Sequence, residues 1–210
     1  MKFLPDTKWG KARFSLLIGF LLYIFISPLF GYLEYEPKEG DMIFQSLPFA
    51  ELTEVIEGVT NSPYSHVGVI VEIGKSWYVR EALGEVKDTP LYLWILRGRE
   101  DSFSVYRLKS EYQKHIKSMI VESEKFLGKP YDFLYELDDG KIYCSELIFK
   151  SYKQVTNENL GKLVKLEELN WKPHEDFILS IENEIPLDRV MITPKDLSEA
   201  KQLYKIYSNY

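Results

Sequence analysis

The feature that most constrains this chain is an uncharged, apolar run near its beginning. Residues 14–33 read FSLLIGFLLYIFISPLFGYL and contain no Asp, Glu, Lys or Arg. A helix of that length rises roughly 30 Å, which matches the hydrocarbon core of a bilayer. A helix that is apolar all round would otherwise need an unusually large protein around it. We therefore expect residues 14–33 to form a transmembrane anchor.

A cleaved signal peptide is the alternative for this segment. Signal peptides have a shorter apolar stretch, followed by a cleavage site with small residues of the A-x-A type. Here the residues before Gly31 are Pro28, Leu29 and Phe30. We therefore expect the segment to be retained as an anchor.

The charges on either side of the apolar run predict its orientation. Residues 1–13 carry four basic side chains and one acidic one, whereas three glutamates follow the run within residues 34–40. The positive-inside rule then places residues 1–13 in the cytoplasm. We expect a single-pass membrane protein with a linker at 34–40 and one globular catalytic domain, residues 41–210, on the extracytoplasmic side.

Composition and charge narrow the class of partner and cofactor. The chain is 45% hydrophobic and 15% aromatic, which is ample for a packed core. Its formal net charge is −6 and no basic patch follows the N-terminal flank, so nucleic acid is not an expected partner. One cysteine and three histidines show no metal-ligand spacing, so we expect neither a metal nor another cofactor.

The hydrophobic pattern of the remaining chain indicates an α+β domain. Residues 66–73, HVGVIVEI, alternate apolar side chains, and Gly74-Lys75 fits a two-residue hairpin turn into a return strand at 76–83. Strands followed by helices, without βαβ alternation, are typical of α+β folds. The other predicted elements are strands at 42–45 and 103–108 and helices at 48–59, 111–127 and 144–154.

The predicted hairpin turn determines which side chains share a face. If Ile73 pairs with Ser76, then Gly68 faces Glu81. His66 and Glu81 are then diagonal neighbours on one face, about 7–8 Å apart at the backbone. Gly68 carries no side chain and leaves space between them. The hairpin therefore predicts a His66–Glu81 pair, provided that the turn has two residues.

Cys144 is predicted to stand where a helix begins. Unpaired backbone N–H groups and the positive end of the helix dipole stabilise a thiolate there. A histidine alongside would supply the base of a nucleophile–base–orienter set, and the Cys144 N–H can bind an oxyanion. Taken alone, a single cysteine is more often a small buried apolar residue, and a histidine is more often structural. Only their combination indicates catalysis.

Several short segments occur in a fixed order along the chain. They are GDMIF at 40–44, SHVGVIV at 65–71, REALG at 80–84, GKPYD at 128–132, YCSEL at 143–147 and ITPKDL at 192–197. Together they resemble the permuted papain-like, YiiX-like branch of the NlpC-type cysteine peptidase superfamily, and the resemblance covers nearly all of residues 40–197. In that branch, the histidine strand precedes the cysteine helix, as it does here.

The resemblance implies both a fold and a set of site residues. The fold is a circularly permuted papain-like one, with a small antiparallel, barrel-like sheet packed on the cysteine-bearing helix. The implied roles are Cys144 as nucleophile, His66 as base, Glu81 as third member and Tyr131 as an oxyanion or substrate contact. The alternative is that Tyr131 is an aromatic residue of the hydrophobic core. Residues 161–189 have no clear counterpart in the family, and we expect them to shape substrate access.

These observations predict a cysteine peptidase or amidase-type hydrolase that cleaves an amide through an acyl-thioester intermediate. We expect a cell-wall or other envelope peptide as substrate, because the domain is expected outside the membrane. A lipid-directed thiol esterase or acyltransferase, as in the related lecithin:retinol acyltransferase group, is one alternative. The glutamate third member and the acidic domain favour amide hydrolysis over it. A non-catalytic envelope binding module is another alternative, against which the intact Cys-His-Glu set argues.

Overall fold

The structure is a computed structural model that describes residues 34–210 together with Leu16 and Gly19. Residues 37–210 form one compact unit, and the residues up to 36 form another. The predicted anchor at 14–33 therefore lies outside the described residues, except for Leu16 and Gly19. Within the part that the structure describes, no helix is both long and apolar enough to cross a membrane.

A six-stranded antiparallel sheet forms the centre of the domain. Its strands are β1 (Met42–Gln45), β2 (His66–Ile73), β3 (Ser76–Leu83), β4 (Glu85–Pro90), β5 (Phe103–Leu108) and β8 (Leu203–Ser208), and a separate pair consists of β6 (Val164–Lys165) and β7 (Val190–Met191). The strands of the large sheet lie in the order β4-β3-β2-β1-β5-β8. The described strands β4 and β8 lie at opposite edges and do not pair with each other, so the sheet is open there.

Residues 37–210 contain six α-helices in addition to this sheet. The longest begins at the cysteine, packs against β2 and β3, and lies beside the helix at 116–124. The helices are α1 (Glu51–Thr60), α2 (Leu91–Arg97), α3 (Ile116–Glu124), α4 (Cys144–Thr156), α5 (Glu175–Ile181) and α6 (Pro194–Ser198).

The β2–β3 hairpin has the predicted register. Ile73 pairs with Ser76 and Val69 pairs with Arg80, so the turn contains two residues, Gly74 and Lys75. Gly74 has φ +67°, a backbone conformation that glycine adopts at low cost. This register is the condition on which the predicted His66–Glu81 pair depended.

Strand β2 lies between β1 and β3 in the sheet, and its residues 66–71 are buried on both faces. Its apolar face, with Val67, Val69 and Val71, belongs to the main core together with the inner side of α4. Its other face carries His66, Gly68 and Ile70, and these residues are also buried. The strand therefore delivers a histidine into the interior and not to the surface.

The structure differs from the sequence prediction on either side of β5. Strand β4 and helix α2 were not predicted. The helix has only seven residues, which is too short to show a clear helical period. The predicted helix at 111–127 is instead a 3-10 turn, Gln113–His115, followed by α3 at 116–124. The predicted helix at 48–59 begins later, at Glu51.

Candidate active site

Cys144 is the first residue of α4, as predicted, and it is buried. The start of this helix is tied to the segment that carries ITPKDL. The Ser145 hydroxyl donates to the Ile192 carbonyl at 2.7 Å, and the Ile192 N–H donates to the Tyr143 hydroxyl at 3.1 Å. The Glu146 carboxylate accepts from the Tyr143 N–H at 3.1 Å. These bonds hold the cysteine in place without contacting its sulfur.

His66 and Glu81 meet across the β2–β3 hairpin. The His66 Nε2 atom lies 2.5 Å from the Glu81 Oε2 atom, and both side chains are buried. Cys144 lies beside the same imidazole and interacts with it electrostatically. The structure thus brings the predicted cysteine, histidine and glutamate together, with the histidine in the middle.

The charges around His66 favour a protonated imidazole. Burial lowers the pKa of His66, but its interactions with Cys144 and Glu81 outweigh burial and raise that pKa from 6.5 to about 9. Burial raises the pKa of Glu81, but the hydrogen bonds and positive charges of His66 and Arg97 place it well below its ordinary value. Glu81 therefore stays ionised over the whole physiological range and supports an imidazolium.

Three further side chains bind the Glu81 carboxylate, and sequence reasoning identified none of them. Thr89, on β4, donates to Oε1 at 2.6 Å. Trp94, on α2, donates from Nε1 to Oε2 at 2.9 Å, and its ring stacks on that of His66 with centroids 6.1 Å apart. Arg97, at the end of α2, donates to Oε1 at 3.0 Å and to Oε2 at 2.5 Å.

Tyr131 is buried in the core cluster that also contains Cys144. Its hydroxyl lies 3.2 Å from that of Tyr135, a residue that sequence reasoning did not single out. Burial, together with the neighbouring tyrosine and cysteine, places the pKa of Tyr131 well above 10, so its hydroxyl keeps its proton. The Asp132 carboxylate orders this loop by accepting the N–H groups of Leu134 and Glu136 at 3.0 and 2.6 Å.

An apolar cavity opens beside Cys144. Residues from the 161–189 segment line part of its wall. The charged side chains in the wall are Glu182 and Arg189, which form an ion pair with each other. Members of the apolar lining include Val55, Ile56, Phe133, Leu166, Phe177, Ile178 and Met191, with Tyr135 close to the cysteine.

Comparisons with known proteins identify the family and the fold of this chain. The model of a family described as permuted papain-like amidase enzyme, YaeF/YiiX, C92 family, matches residues 36–207. The uncharacterized protein YiiX of Escherichia coli (strain K12) is 32% identical over 173 residues, which cover 80% of this chain and 85% of that protein. The crystal structure of metalloprotein yiiX from Escherichia coli O157:H7 matches with a TM-score of 0.76 and 32% identity, covering 84% of this chain and 99% of that one. These matches confirm the predicted permuted papain-like α+β fold.

Proposed function

The chain belongs to the family of permuted papain-like amidases, which are cysteine peptidase or amidase-type enzymes, and we propose that Cys144, His66 and Glu81 carry its chemistry. The observation that supports this assignment best is the buried His66–Glu81 contact of 2.5 Å, with Cys144 beside the same imidazole. These three residues have the order nucleophile, base and orienter that covalent catalysis requires. The other two histidines of the sequence, His115 and His174, take no part in this arrangement.

The first half of the proposed reaction forms an acyl-thioester. His66 takes the Cys144 proton, and the sulfur attacks the substrate carbonyl carbon. The C–N bond then breaks as the His66 imidazolium gives its proton to the leaving amine. The N–H groups at the start of α4 stabilise the developing oxyanion, and a neutral tyrosine hydroxyl is a second donor for it. Tyr131 and Tyr135 are the candidates for that donor.

The second half releases the acyl group to water. His66, now neutral, takes a proton from a water molecule that attacks the thioester carbonyl. The C–S bond breaks, and His66 returns the proton to the Cys144 thiolate. Glu81 keeps the imidazole oriented and stabilises its charged form in both halves. Each turnover therefore needs His66 in both protonation states.

The lining of the cavity beside Cys144 helps to identify the class of substrate. We propose hydrolysis of an amide in an envelope molecule, with an apolar group of the substrate in the cavity. A cell-wall or envelope peptide remains the first candidate because the domain is expected outside the membrane. The apolar lining favours the second candidate, a lipid-directed thiol esterase or acyltransferase, since an aliphatic acyl chain would lose no hydrogen bonds on entering.

The metal implied by the description of the E. coli structure has no matching donor set here. Among residues 34–210, no group of three or more His, Cys, Asp or Glu side chains is arranged to hold a metal ion. His66 and Glu81 bind each other, with Cys144 beside the imidazole, so these groups serve proton transfer. We assign no metal to the reaction.

The proposed membrane attachment complements this chemistry. We propose that residues 14–33 anchor the chain with residues 41–210 outside, which would hold the enzyme at envelope substrates. The uncharged run and its basic flank support the proposal.

Mass spectrometry of the intact chain tests the nucleophile and the substrate class together. The full chain in mild detergent would be mixed with p-nitrophenyl acetate or p-nitrophenyl decanoate, and separately with a cell-envelope extract. We expect an acyl adduct on Cys144 that is absent from Cys144→Ser and strongly reduced in His66→Gln. Labelling that persists in Cys144→Ser would refute the assignment of the nucleophile. A Cys144→Ser protein that complements fully in the cell would revive the non-catalytic binding module.

The chain length of the ester separates the two substrate classes. If an aliphatic acyl chain occupies the cavity, decanoate should acylate at least about tenfold faster than acetate, since each buried CH₂ contributes about 0.8 kcal/mol. Ile178→Trp, which fills the cavity wall, should remove this preference while leaving the reaction with acetate unchanged. Equal rates for both esters would favour a peptide substrate over a lipid.

A further inference from the structure

The buried Glu81 carboxylate has two cationic partners and not one. His66 binds Oε2 at 2.5 Å, while the Arg97 guanidinium binds Oε1 at 3.0 Å and Oε2 at 2.5 Å. Such a bidentate contact is the strongest geometry that an arginine forms with a carboxylate. Arg97 approaches from α2, whereas His66 approaches from β2, so the two cations share one anion from different sides.

The surroundings of His66 contain few other charges. In the described structure, Glu81 faces it from β3 and Cys144 from α4, while Trp94 covers the ring from α2 as a neutral group. Gln45, the neutral residue paired with His66 on β1, adds no charge. The charge state of His66 therefore depends mainly on Cys144, on Glu81 and on the cation that shares Glu81.

We propose that Arg97 is a positioning residue that balances the charge of Glu81, so that His66 can both gain and release a proton during each turnover. A buried carboxylate with His66 as its only cationic partner would hold the imidazolium too tightly. Arg97 neutralises part of that carboxylate and repels the imidazolium, while its two hydrogen bonds keep the carboxylate plane in place.

The need for such a balance follows from the two half-reactions. Acylation ends with an imidazolium that donates a proton, but deacylation begins with a neutral imidazole that accepts one. Once the thiolate has become a thioester, Glu81 is the remaining anion beside His66. An unbalanced carboxylate would then keep His66 protonated and slow the release of the acyl group. This inference rests on the proposed cysteine hydrolase mechanism.

A purely structural role for Arg97 makes the opposite prediction. If Arg97 only held Glu81 in place, its removal would let the carboxylate move away from His66. The imidazolium would then lose its anion, and His66 would titrate at lower pH. Under the balancing role, Glu81 stays hydrogen-bonded to Thr89 and Trp94, and His66 titrates at higher pH. The direction in which the His66 midpoint moves decides between the two roles.

Arg99 provides a matched control on the same segment. Its side chain is 23% exposed, against 25% for Arg97, and it also pairs with a glutamate, Glu57, at 3.1 Å. The Glu57 carboxylate forms no contact with His66, because its partners are Arg99 and Ser46. Arg99→Met therefore removes an equivalent arginine without changing the charge at the site.

The experiment is an NMR titration of the histidine side chains in the full chain, purified in mild detergent. The sequence has three histidines, so the His66 resonance can be assigned with His66→Gln. We expect Arg97→Met to raise the His66 midpoint by on the order of one pH unit, and Arg99→Met to leave it unchanged. Arg97→Lys should raise it less, because one ammonium keeps the charge but cannot span both oxygens. An unchanged or lower midpoint in Arg97→Met, or in Arg97→Lys if the first variant does not fold, would overturn the proposal.

A kinetic measurement adds a second readout. With p-nitrophenyl acetate, Arg97→Met should keep the initial burst of acylation. Its turnover at neutral pH should fall about tenfold if the His66 midpoint rises by about one pH unit. The acyl-enzyme should then accumulate in intact-mass spectra. A wild-type chain that forms no adduct on Cys144 would refute the hydrolase mechanism, whereas a His66 midpoint that does not rise would refute the role of Arg97.

Discussion

Gly68 and Glu81 lie in contact across the β2–β3 hairpin, with no side chain between them. A Cβ atom added to Gly68 would lie 3.4 Å from the Glu81 Cβ and 2.3 Å from the Val79 Cγ1. The first distance is an ordinary contact, but the second is a severe overlap. The bare backbone at Gly68 thus lets His66 and Glu81 reach each other along one face of the sheet.

We predict that Gly68→Ala lowers both stability and activity. The added methyl group must displace Val79 or separate the two strands, which costs typically 1–3 kcal/mol in a packed core. A shift of about 1 Å at the His66–Glu81 contact should lower turnover on the order of 100-fold. Thermal melting and steady-state hydrolysis of p-nitrophenyl acetate would measure the two effects.

Two further variants make the Gly68 test specific. Val79→Ala in the Gly68→Ala background removes the overlapping methyl group and should restore part of the lost activity. Gly140→Ala should be nearly neutral, because its Cβ would meet only an Asp138 oxygen at 3.3 Å. An active Gly68→Ala enzyme, or a double variant as inactive as the single one, would contradict this account.

We also predict that Glu81→Gln lowers turnover by roughly 10² to 10⁴, while the chain still folds. The amide keeps the shape of the side chain but cannot stabilise an imidazolium, and its NH₂ group would face a donor of Trp94 or Arg97. The melting temperature should therefore fall as well. The measurements are turnover, adduct formation on Cys144 and thermal melting.

Glu57→Gln is the control for that variant. Glu57 also pairs with an arginine and is largely buried, yet it lies away from His66. It should lose stability without a comparable loss of turnover. Wild-type turnover in Glu81→Gln would show that the third catalytic member lies elsewhere, with Glu146 on the cysteine helix as the next residue to test.

Glu146 should make stability depend on pH. Burial raises the pKa of its carboxyl group from 4.5 to about 7, although the Lys150 ammonium opposes the shift. The folded chain therefore holds this proton more tightly than the unfolded chain does. That contribution to stability is fully present below about pH 4.5 and is lost as the pH rises through 7.

Glu146→Gln does not titrate, so it serves as the reference for this prediction. The melting temperature of the wild type, minus that of Glu146→Gln, should decrease between pH 4.5 and 7 and then level off. Differential scanning calorimetry at half-unit intervals of pH would measure it. A difference that is constant or increases over this interval would contradict the prediction.

The membrane topology gives a prediction that is independent of the site. Protease added to intact cells or spheroplasts should digest residues 41–210 if they lie outside. The chain should also resist extraction with alkaline carbonate if residues 14–33 are retained as an anchor. Protection of the domain until lysis would reverse the orientation, and release by carbonate would favour a cleaved signal peptide.

Local patterns in the sequence determined two features of the site, the His66–Glu81 contact and the start of the cysteine helix. Glu81 follows His66 by only fifteen residues within a single hairpin, and the Gly74-Lys75 turn sets the register that aligns them. A hairpin register depends on its turn and on side-chain alternation, both of which can be read from consecutive residues. The helix start at Cys144 was equally visible, because the helical period begins there.

Only the tertiary structure determined what surrounds these residues. Arg97 and Trp94 reach Glu81 because β4 returns along β3 and the short helix α2 then folds onto the sheet. The cavity beside Cys144 combines side chains from α1, the Phe133–Tyr135 loop and the 161–189 segment, which are far apart in the sequence. Such contacts result from the docking of whole elements, and no periodicity within an element encodes them. The His66–Glu81 pair was therefore predictable from local sequence patterns, whereas the docking of Cys144 beside it, its charge balance and the shape of the substrate cavity were not.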